Sequence, residues 1–368
     1  MKILVTGGAG FIGSHTVDML LEKGHQVRAL DSLAPPVHRD GQLPDYFPSE
    51  AEFLRGDVRN RQDWERALHG VDAVFHMAAY QDYLPDFAKF FHVNAVGTAL
   101  LYEIIVEKTL PVKKIVVASS QAVYGEGKYR CPAHGFQYPG ARATEQLAAK
   151  DWDPRCPISS ERMTPEATGE EAVNPHNAYA MSKFAGEMIG LNLGRRYALP
   201  TVALRYSIVQ GARQSFRNAY SGVLRIFAMQ TLAGEPPTVY EDGLQLRDYV
   251  HIGDVARANL LVLEDDRANY RAFNVGGGRA ITVLEFARMM AGAAGRPDLE
   301  PAVPGEYRFG DTRHIISDIS ALRALGWEPQ GSIERSAREY LDWAAAQPDF
   351  RNYAAEAREH MRKVGIVL

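Results

Sequence analysis

A glycine-rich turn between a buried strand and a helix constrains this chain more than any other feature. Lys2–Thr6 is a short, apolar, β-branched run, which is typical of a strand buried on both faces. Glycines spaced by three follow it, and a helical pattern begins at Ser14. Such a turn lets the backbone approach a pyrophosphate, and the helix N-terminus favours its negative charge. The residues predicted to contact a dinucleotide here are Gly7, Gly10, Phe11, Ile12 and Gly13.

The acidic residue after the second strand narrows the choice of dinucleotide. Gln26–Leu30 is a second apolar strand, and Asp31 follows it directly. A carboxylate at this point accepts hydrogen bonds from the adenosine ribose hydroxyls and repels a 2′-phosphate. The sequence therefore predicts NAD rather than NADP.

Composition excludes several other classes of protein. A formal net charge of −4 over 368 residues gives no indication of a nucleic-acid surface. No apolar run approaches the roughly 20 residues of a membrane span, and the first strand begins at Lys2, so no signal peptide fits. Two cysteines do not make a disulfide framework. We expect a cytoplasmic protein with room for a doubly wound domain and a smaller one.

A second motif has the chemistry of a general base. Tyr179 and Lys183 stand four residues apart in a helical segment that runs to about Tyr197, so they share one helix face. A free phenol has a pKa near 10, and a neighbouring ammonium favours the phenolate. Hydroxyls at Ser119 and Ser120 end the apolar strand that begins at Val112, where doubly wound sheets place their ligands.

These motifs, in this order, resemble the NAD-dependent epimerase/dehydratase family, the extended branch of the short-chain dehydrogenases/reductases. The resemblance covers residue 1 to about 345. It implies an α/β fold: a doubly wound parallel Rossmann sheet with a smaller, discontinuous C-terminal substrate domain. The implied NAD-binding domain is 1–205 with about 247–278, and it carries an insertion at 125–174. The implied nucleotide-sugar domain is 206–246 with 279–345, and 346–368 is left as a helical tail.

The resemblance also assigns roles to residues. Epimerases of the family carry the catalytic hydroxyl four residues before the tyrosine of a Val-Tyr-Gly turn, here Tyr124, which selects Ser120 beside Tyr179 and Lys183. Lys183 would also hold the nicotinamide ribose. Further implied cofactor contacts are Asp57, Val58, Ala78, Ala79 and Asn94. Implied substrate contacts are Ser119, Tyr80, Val239, Arg247 and Arg308, with the two arginines on the diphosphate.

Some assignments have a purely structural alternative or depart from the family. Asp57 could instead cap the helix at 61–68, and Asp254 is predicted to cap a helix at 255–263. Residues 237–240 are predicted to form a short strand. Ile208 stands where relatives carry a phosphate-binding asparagine, so Ser207 or a residue of 214–218 is the expected replacement.

The two residues directly after Ser120 narrow the reaction. A dehydratase of this family needs an acid pair there, and this chain has Gln121 and Ala122. Epimerisation at carbon 4 of a nucleotide sugar remains, and the stretch looks most like bacterial 4-epimerases of dTDP-6-deoxyhexoses such as dTDP-L-rhamnose. Two alternatives stay open: a 4-ketoreductase that consumes NAD(P)H, and a non-catalytic NAD sensor.

The insertion and the assembly complete the predictions. Cys131, His134 and Cys156 could be three ligands of a zinc site, with His176 as a candidate fourth. We expect instead two ordinary thiols in a folded flap, and no metal. The resemblance implies a homodimer that is formed through the helices at 94–108 and 179–197.

Overall fold

The computed structural model describes residues 1–38, 41–82, 84–218 and 222–368. Its strands, in chain order, are β1 (Lys2–Thr6), β2 (Gln26–Asp31), β3 (Glu52–Arg55), β4 (Ala73–His76), β5 (Lys114–Ser120), β6 (Tyr129–Cys131), β7 (Gly135–Gln137), β8 (Thr164–Pro165), β9 (Thr201–Tyr206), β10 (Ile208–Gln210), β11 (Leu246–His251), β12 (Arg271–Val275) and β13 (Ala280–Thr282). Its helices are α1 (Phe11–Glu22), α2 (Arg61–Leu68), α3 (Phe87–Phe91), α4 (Gly97–Glu107), α5 (Thr144–Ala148), α6 (Ala178–Arg196), α7 (Val223–Leu232), α8 (Ile252–Glu264), α9 (Val283–Ala293), α10 (Ser320–Arg323), α11 (Ile333–Ala345) and α12 (Ala354–Lys363).

The central sheet of the described residues has seven strands, all parallel, in the order β12-β9-β5-β4-β1-β2-β3. Strands β4, β5 and β9 are buried at every residue, because helices cover both faces. Val17 of α1 and Val255 of α8 lie in one core layer, and Trp64 of α2 and Leu101 of α4 lie in the other. The predicted doubly wound parallel sheet is confirmed. Its order reverses between β1 and β4, so the carboxyl ends of these strands border the crevice where such sheets bind ligands.

A smaller sheet, β10-β11-β13, forms the base of the second domain. Helices α7, α9 and α11 pack together over it around Phe227, Phe286 and Tyr340. The chain leaves this domain to form α8 and β12 and then returns, so the domain is discontinuous, as expected. Strand β11 belongs to this smaller sheet. Of the 247–278 segment, β12 is a strand of the central sheet and α8 packs against that sheet.

The 125–174 insertion is folded around a small antiparallel sheet, β7-β6-β8, and the helix α5. The C-terminal tail is also ordered: α12 packs on α7, and Val367 pairs with Arg308. Leu368 exchanges two backbone hydrogen bonds with Tyr307. The tail therefore packs on the second domain beside Arg308.

One predicted helix cap is wrong. Helix α8 begins at Ile252, and its N-cap is His251, whose Nδ1 accepts the Gly253 N–H at 3.0 Å. The Asp254 carboxylate is buried and instead accepts the backbone N–H groups of Gln330 and Gly331 at 2.8 and 2.9 Å. Asp254 thus fastens the chain before α11 to α8, a long-range contact that a local pattern does not encode.

Two further local predictions need correction. The N-cap of α2 is Asn60, whose side chain accepts the Gln62 N–H at 2.8 Å, and the Asp57 carboxylate binds the Arg59 side chain instead. The expected strand at 237–240 is reduced to a single bridge between Thr238 and Ala302. The proline-rich sequence at 32–50 is typical of a loop, and its described residues form no helix or strand; residues 39 and 40 lie outside the described part of the chain.

One continuous helical stretch, Phe87–Glu107, is long and apolar enough to cross a membrane by length and composition, contrary to the expectation that no run approaches this limit. It consists of α3, a π-helical turn at His92–Val96, and α4. Half of its span-like window is buried in the fold, where it packs on α6 and α2. This stretch therefore packs against other helices of the fold, as a core helix does.

Candidate active site

The glycine turn after β1 forms a cradle that only glycine fits. Gly7 has φ +68°, and a Cβ there would lie 2.8 Å from the backbone N of Ala78. A Cβ on Gly13 would lie 2.0 Å from the Gly7 carbonyl oxygen, because α1 packs directly against the turn. Helix α1 begins at Phe11, earlier than the periodicity predicted, so Gly10, Phe11 and Ile12 form its first turn. The N-terminal N–H groups of α1 therefore point toward the crevice, as a pyrophosphate requires.

Asp31 ends β2 beside this cradle. Its carboxylate accepts the backbone N–H groups of Ala9 at 3.1 Å and Leu33 at 2.9 Å. The loop after β2 folds over the turn, where the Tyr46 hydroxyl donates to the Ala9 carbonyl at 2.8 Å and the His38 ring lies 3.8 Å from Asp31. Asp31 thus has the position expected of a ribose-binding acid, and it also holds the turn in shape.

Two of the expected cofactor contacts, Asp57 and Val58, follow the end of β3. Asp57 is half-buried, with its carboxylate against Arg59, which lowers the pKa of that carboxyl mainly through their side-chain hydrogen bond. Val58 is buried, and its carbonyl accepts the Trp64 indole N–H at 2.7 Å. Ala79 is exposed at the end of β4, where a small side chain leaves the backbone open to a ligand.

Asn94 sits in the π-helical turn, and its side chain bonds to other parts of the protein. Its Oδ1 accepts the Tyr80 N–H at 2.8 Å, and its Nδ2 donates to the Tyr80 carbonyl at 3.0 Å and the Ser182 hydroxyl at 2.9 Å. The side-chain amide is buried and fully used by these contacts. Asn94 therefore ties the loop after β4 to α6, and its expected cofactor contact stays a prediction. A π-turn at such a junction is a frequent feature of functional sites.

Tyr80 is linked to Tyr179 by the ring of Phe90, which contacts both. Its hydroxyl donates a hydrogen bond to Asp86 at 2.7 Å, so the phenol proton already has a partner within the protein. Its ring lies 4.8 Å from Phe90, and Phe90 meets Tyr179 edge-on at 6.5 Å. Tyr80 thus forms part of the wall that encloses Tyr179.

Ser120 ends β5 and meets the Tyr179 side chain, and Lys183 is buried one turn after Tyr179 on α6. Burial raises the pKa of the Tyr179 phenol, and a hydrogen bond with the Ser120 side chain opposes that rise. Burial lowers the pKa of the Lys183 ammonium to about 8, with Glu187 acting in the opposite direction. A buried phenol beside a hydroxyl donor and an ammonium can exchange a proton with a bound alcohol once a further positive charge enters.

A buried ion pair lies behind these residues. Glu187 receives two hydrogen bonds from Arg205, at 2.6 and 3.0 Å, and one from the Ser119 hydroxyl at 2.7 Å. Ser119 therefore faces Glu187 and not the crevice, which corrects its expected substrate contact. Glu187 was not found in the sequence, although it stands four residues after Lys183 on the same helix face, and that spacing was a usable signal.

The two arginines expected on the diphosphate are held by the second domain. Arg247 is half-buried and donates to the carbonyls of Thr312 and Arg313 at 2.8 and 2.9 Å. Arg308 is buried with its guanidinium 4.8 Å from the ring centre of Tyr240. The Val239 side chain is fully buried in the second core, so the substrate contact expected of this residue would have to be made by its backbone.

The segment from Ser207 to Asn218 carries the most unusual polar groups of the described residues. The Ser207 hydroxyl lies 2.6 Å from the Asp248 carbonyl and 3.0 Å from the Gln121 side-chain oxygen. Buried side-chain atoms with no hydrogen-bond partner among the described residues occur along this segment at Gln210, Gln214, Ser215 and Asn218. Buried polar atoms are normally paired, so such a group is typical of a surface that meets a polar ligand.

A buried ring of charges joins the insertion to the second domain. Arg142 donates to Glu126 at 3.3 Å and to Glu241 at 2.9 Å, and Arg313 donates to Glu241 at 2.8 Å. All four side chains are at least 95% buried. The Arg313 backbone N–H also donates to Glu126 at 2.8 Å, so the ring fixes the residues whose carbonyls hold Arg247. No local pattern in the sequence predicted this contact.

The chain is similar to known proteins along nearly its whole length. Residues 3–146 and 156–276 match the family described as NAD dependent epimerase/dehydratase. The dTDP-L-rhamnose 4-epimerase of Burkholderia thailandensis is 34% identical, covering 95% of this chain and 97% of that protein. The UDP-glucose 4-epimerase of Thermotoga maritima, solved with UDP-glucose, is 31% identical with a TM-score of 0.76 over 93% of this chain and 98% of that one. The UDP-glucose 4-epimerase of Thermus thermophilus, solved with NAD, is 32% identical with a TM-score of 0.71 over the same shares.

Proposed function

The chain belongs to the NAD dependent epimerase/dehydratase family and uses NAD, and on that premise we propose that it inverts carbon 4 of a nucleoside-diphosphate sugar. We propose a dTDP-6-deoxyhexose such as dTDP-L-rhamnose as its substrate, which the similarity to the Burkholderia enzyme supports. The observation that carries the proposal is the meeting of Ser120, Tyr179 and Lys183 at the end of β5, with Gln121 where a dehydratase needs an acid.

The cofactor fits the residues that are present. Gly7 and Gly13 leave a space that any side chain would fill, the first turn of α1 opens into it, and Asp31 ends the neighbouring strand. When bound, NAD would accept the hydride from carbon 4 and return it. The acid at Asp31 disfavours a 2′-phosphate, which suits a cofactor recycled in place.

The proton is handled by the residues at the end of β5. Tyr179, as phenolate, would take the proton of the sugar 4-hydroxyl while Ser120 donates a hydrogen bond to the same oxygen. Lys183 would hold positive charge beside the phenolate. The resulting 4-keto sugar would turn within the crevice and receive hydride on its opposite face, and Tyr179 would return the proton to the new hydroxyl.

Substrate would be held by its diphosphate in the second domain. Arg247 and Arg308 are the proposed ligands, since a guanidinium binds phosphate oxygens bidentately. The 207–218 segment is the proposed replacement for the asparagine missing at Ile208, which its unpaired buried polar atoms support. Gln214, Ser215 and Asn218 are its candidate donors and acceptors.

Incubation with nucleotide sugars and no added cofactor tests the proposal. The purified protein should interconvert dTDP-L-rhamnose and its carbon 4 epimer, and it should be less active on UDP-, GDP- and CDP-sugars. Product ratios are measured by nuclear magnetic resonance. A reaction that proceeds only with stoichiometric NAD(P)H would identify a ketoreductase, and NAD binding without turnover of any sugar would identify a sensor.

We also propose a homodimer built on the helix pair α4 and α6. The two helices pack together, and α6 presents Met181 and Met188, each about 45% exposed and seven residues apart on one face. Phe91 and Val96 are exposed on the adjoining helix. A shared apolar surface on two packed helices is typical of a four-helix dimer contact.

Met188→Glu should convert the dimer to monomers. At a two-fold interface the change is made twice, and each carboxylate would be buried without a partner. We therefore expect the dissociation constant of the dimer to rise on the order of 100-fold. Sedimentation velocity at several concentrations measures it. Val303→Glu, also at an exposed apolar residue, should leave the assembly unchanged. A wild-type chain that sediments as a monomer at micromolar concentration would contradict the proposal.

A further inference from the structure

Two turns of the insertion begin with the same dipeptide, Cys-Pro, and close in a similar way. The first is Cys131-Pro132-Ala133-His134-Gly135, and the second is Cys156-Pro157-Ile158-Ser159-Ser160. The fifth residue of each has a positive φ, +69° at Gly135 and +61° at Ser160. Each turn also folds back on its cysteine: Cys131 pairs with Gly135, and the Ser160 N–H donates to the Cys156 carbonyl at 2.8 Å. Such a paired knuckle places the first and fourth side chains on the same side.

The two turns face each other and bring three soft donors together. The His134 Nδ1 lies 3.5 Å from the Cys131 sulfur and 3.7 Å from the Cys156 sulfur. The three donor atoms all lie within 4.8 Å of one another. Both cysteines are buried and free, in a small apolar cluster with Tyr129 and Met163.

We propose that Cys131, His134 and Cys156 bind a zinc ion that clips the insertion together. A tetrahedral zinc with bonds of about 2.3 Å to sulfur and 2.0–2.1 Å to nitrogen separates the two donors by about 3.6 Å. The two sulfur–nitrogen distances match that separation. The three donors, which lie within 4.8 Å of one another, would need only a small contraction to hold a metal. This proposal departs from our sequence-based expectation of two ordinary thiols and no metal.

Glu161 is the proposed fourth ligand. Its carboxylate oxygen lies 3.7 Å from the Cys131 sulfur and accepts a hydrogen bond from the Ser159 hydroxyl at 3.0 Å. Ser159 holds the place in the second turn that His134 holds in the first. A hydroxyl is a poor zinc ligand, so the neighbouring carboxylate would complete the site. His176, the fourth ligand considered from the sequence, lies instead against Gly125.

The chemistry of the donors selects the class of metal. Two thiolates and an imidazole suit zinc and exclude the hard cations, magnesium and calcium, which take oxygen ligands. Zinc binds cysteine as the thiolate, so binding at this site would release the proton of each thiol.

The clip has a structural task. The sheet of the insertion consists of strands of two and three residues, and its core cluster holds only four buried side chains among the described residues. Units this small are commonly stabilised by a metal. Zinc would join the β6–β7 hairpin to the turn at 156–160, and so support the charged ring that contacts the second domain.

Metal content and cobalt spectroscopy of the full-length chain test the proposal. The protein purified without chelator should contain one zinc per chain, and both thiols should react with a thiol reagent only after zinc is removed. Cobalt added to the apoprotein should give an intense near-ultraviolet sulfur-to-cobalt band, which zinc then displaces. Protein that stays metal-free in zinc-supplemented medium and shows no cobalt band would overturn the proposal, as would a disulfide that reductant opens.

Variants assign the ligands. Cys131→Ser and Cys156→Ser should each weaken zinc binding at least about 100-fold, while His176→Ala should leave it unchanged. Ser159→Cys adds a third thiolate at the fourth place and should tighten binding about tenfold or more. Zinc affinity that is equal in wild type and both cysteine variants would overturn the assignment. None of these measurements uses turnover, so their failure would leave the proposed epimerase activity untouched.

Discussion

Tyr179→Phe should reduce carbon 4 epimerisation by about 10²–10⁴-fold, the range that one general acid–base group contributes. The substitution removes only the hydroxyl that is proposed to take the sugar proton. The ring keeps its edge-on contact with Phe90, so the wall of the site is retained. The loss should fall on kcat rather than KM, because the hydroxyl acts in the transition state. Initial rates with dTDP-L-rhamnose measure it.

Cofactor binding separates a chemical defect from a folding defect. The Tyr179→Phe protein should retain NAD, since the glycine cradle and Asp31 lie on other elements. Tyr197→Phe, an exposed tyrosine directly after the same helix, is the matched control and should turn over at the wild-type rate. Wild-type turnover by the Tyr179 variant would remove this residue from the mechanism and the central argument for the proposed reaction.

Glu241→Gln should destabilise the fold by about 3–5 kcal/mol, the cost of removing one partner from a buried ion pair. Glu241 accepts hydrogen bonds from Arg142 and Arg313, which carry two buried positive charges. A neutral amide leaves Arg142 with Glu126 as its remaining carboxylate partner in the ring, and Arg313 with the partly exposed Asp153 and Asp242. Urea denaturation followed by circular dichroism measures the change in the free energy of unfolding.

A surface pair serves as the control for this change. Glu300→Gln removes the partner of Arg288 at an exposed site, where an ion pair contributes at most about 1 kcal/mol. The Glu241 variant should also raise the KM for nucleotide sugar, because Arg313 belongs to the loop that holds Arg247. Equal unfolding midpoints for the two variants would show that the ring does not hold the insertion to the second domain.

Local signals in the sequence were enough to predict the glycine turn after β1 and the helix that carries Tyr179 and Lys183. A β-branched run before Gly7 and a spacing of four between Tyr179 and Lys183 depend only on neighbours in the chain. Thr282 and Glu285, a hydroxyl followed three residues later by an acid, form a complete capping box at the start of α9. Where strand ends and helix starts follow from such short patterns, the prediction and the structure agree.

The failures involve side chains whose partners are far away in the sequence. Asp254 has the local pattern of a helix cap, yet it binds backbone groups of Gln330 and Gly331. Ser119 and Ser120 are neighbours on one strand, and alternation along the strand sends one to Glu187 and the other to Tyr179. Which hydroxyl faces the crevice depends on tertiary packing, and only the family resemblance distinguished them.

The π-helical turn at His92–Val96 has a consequence for the length of this helix. It contains one residue more than an α-helical turn, and each residue of an α-helix advances by about 100°. A deletion there would turn the face of α4 that carries Leu101 and Ile105 away from the core, or carry Asn94 away from Ser182. Homologous chains should therefore tolerate changes of residue in this stretch far more readily than a gap of a single position.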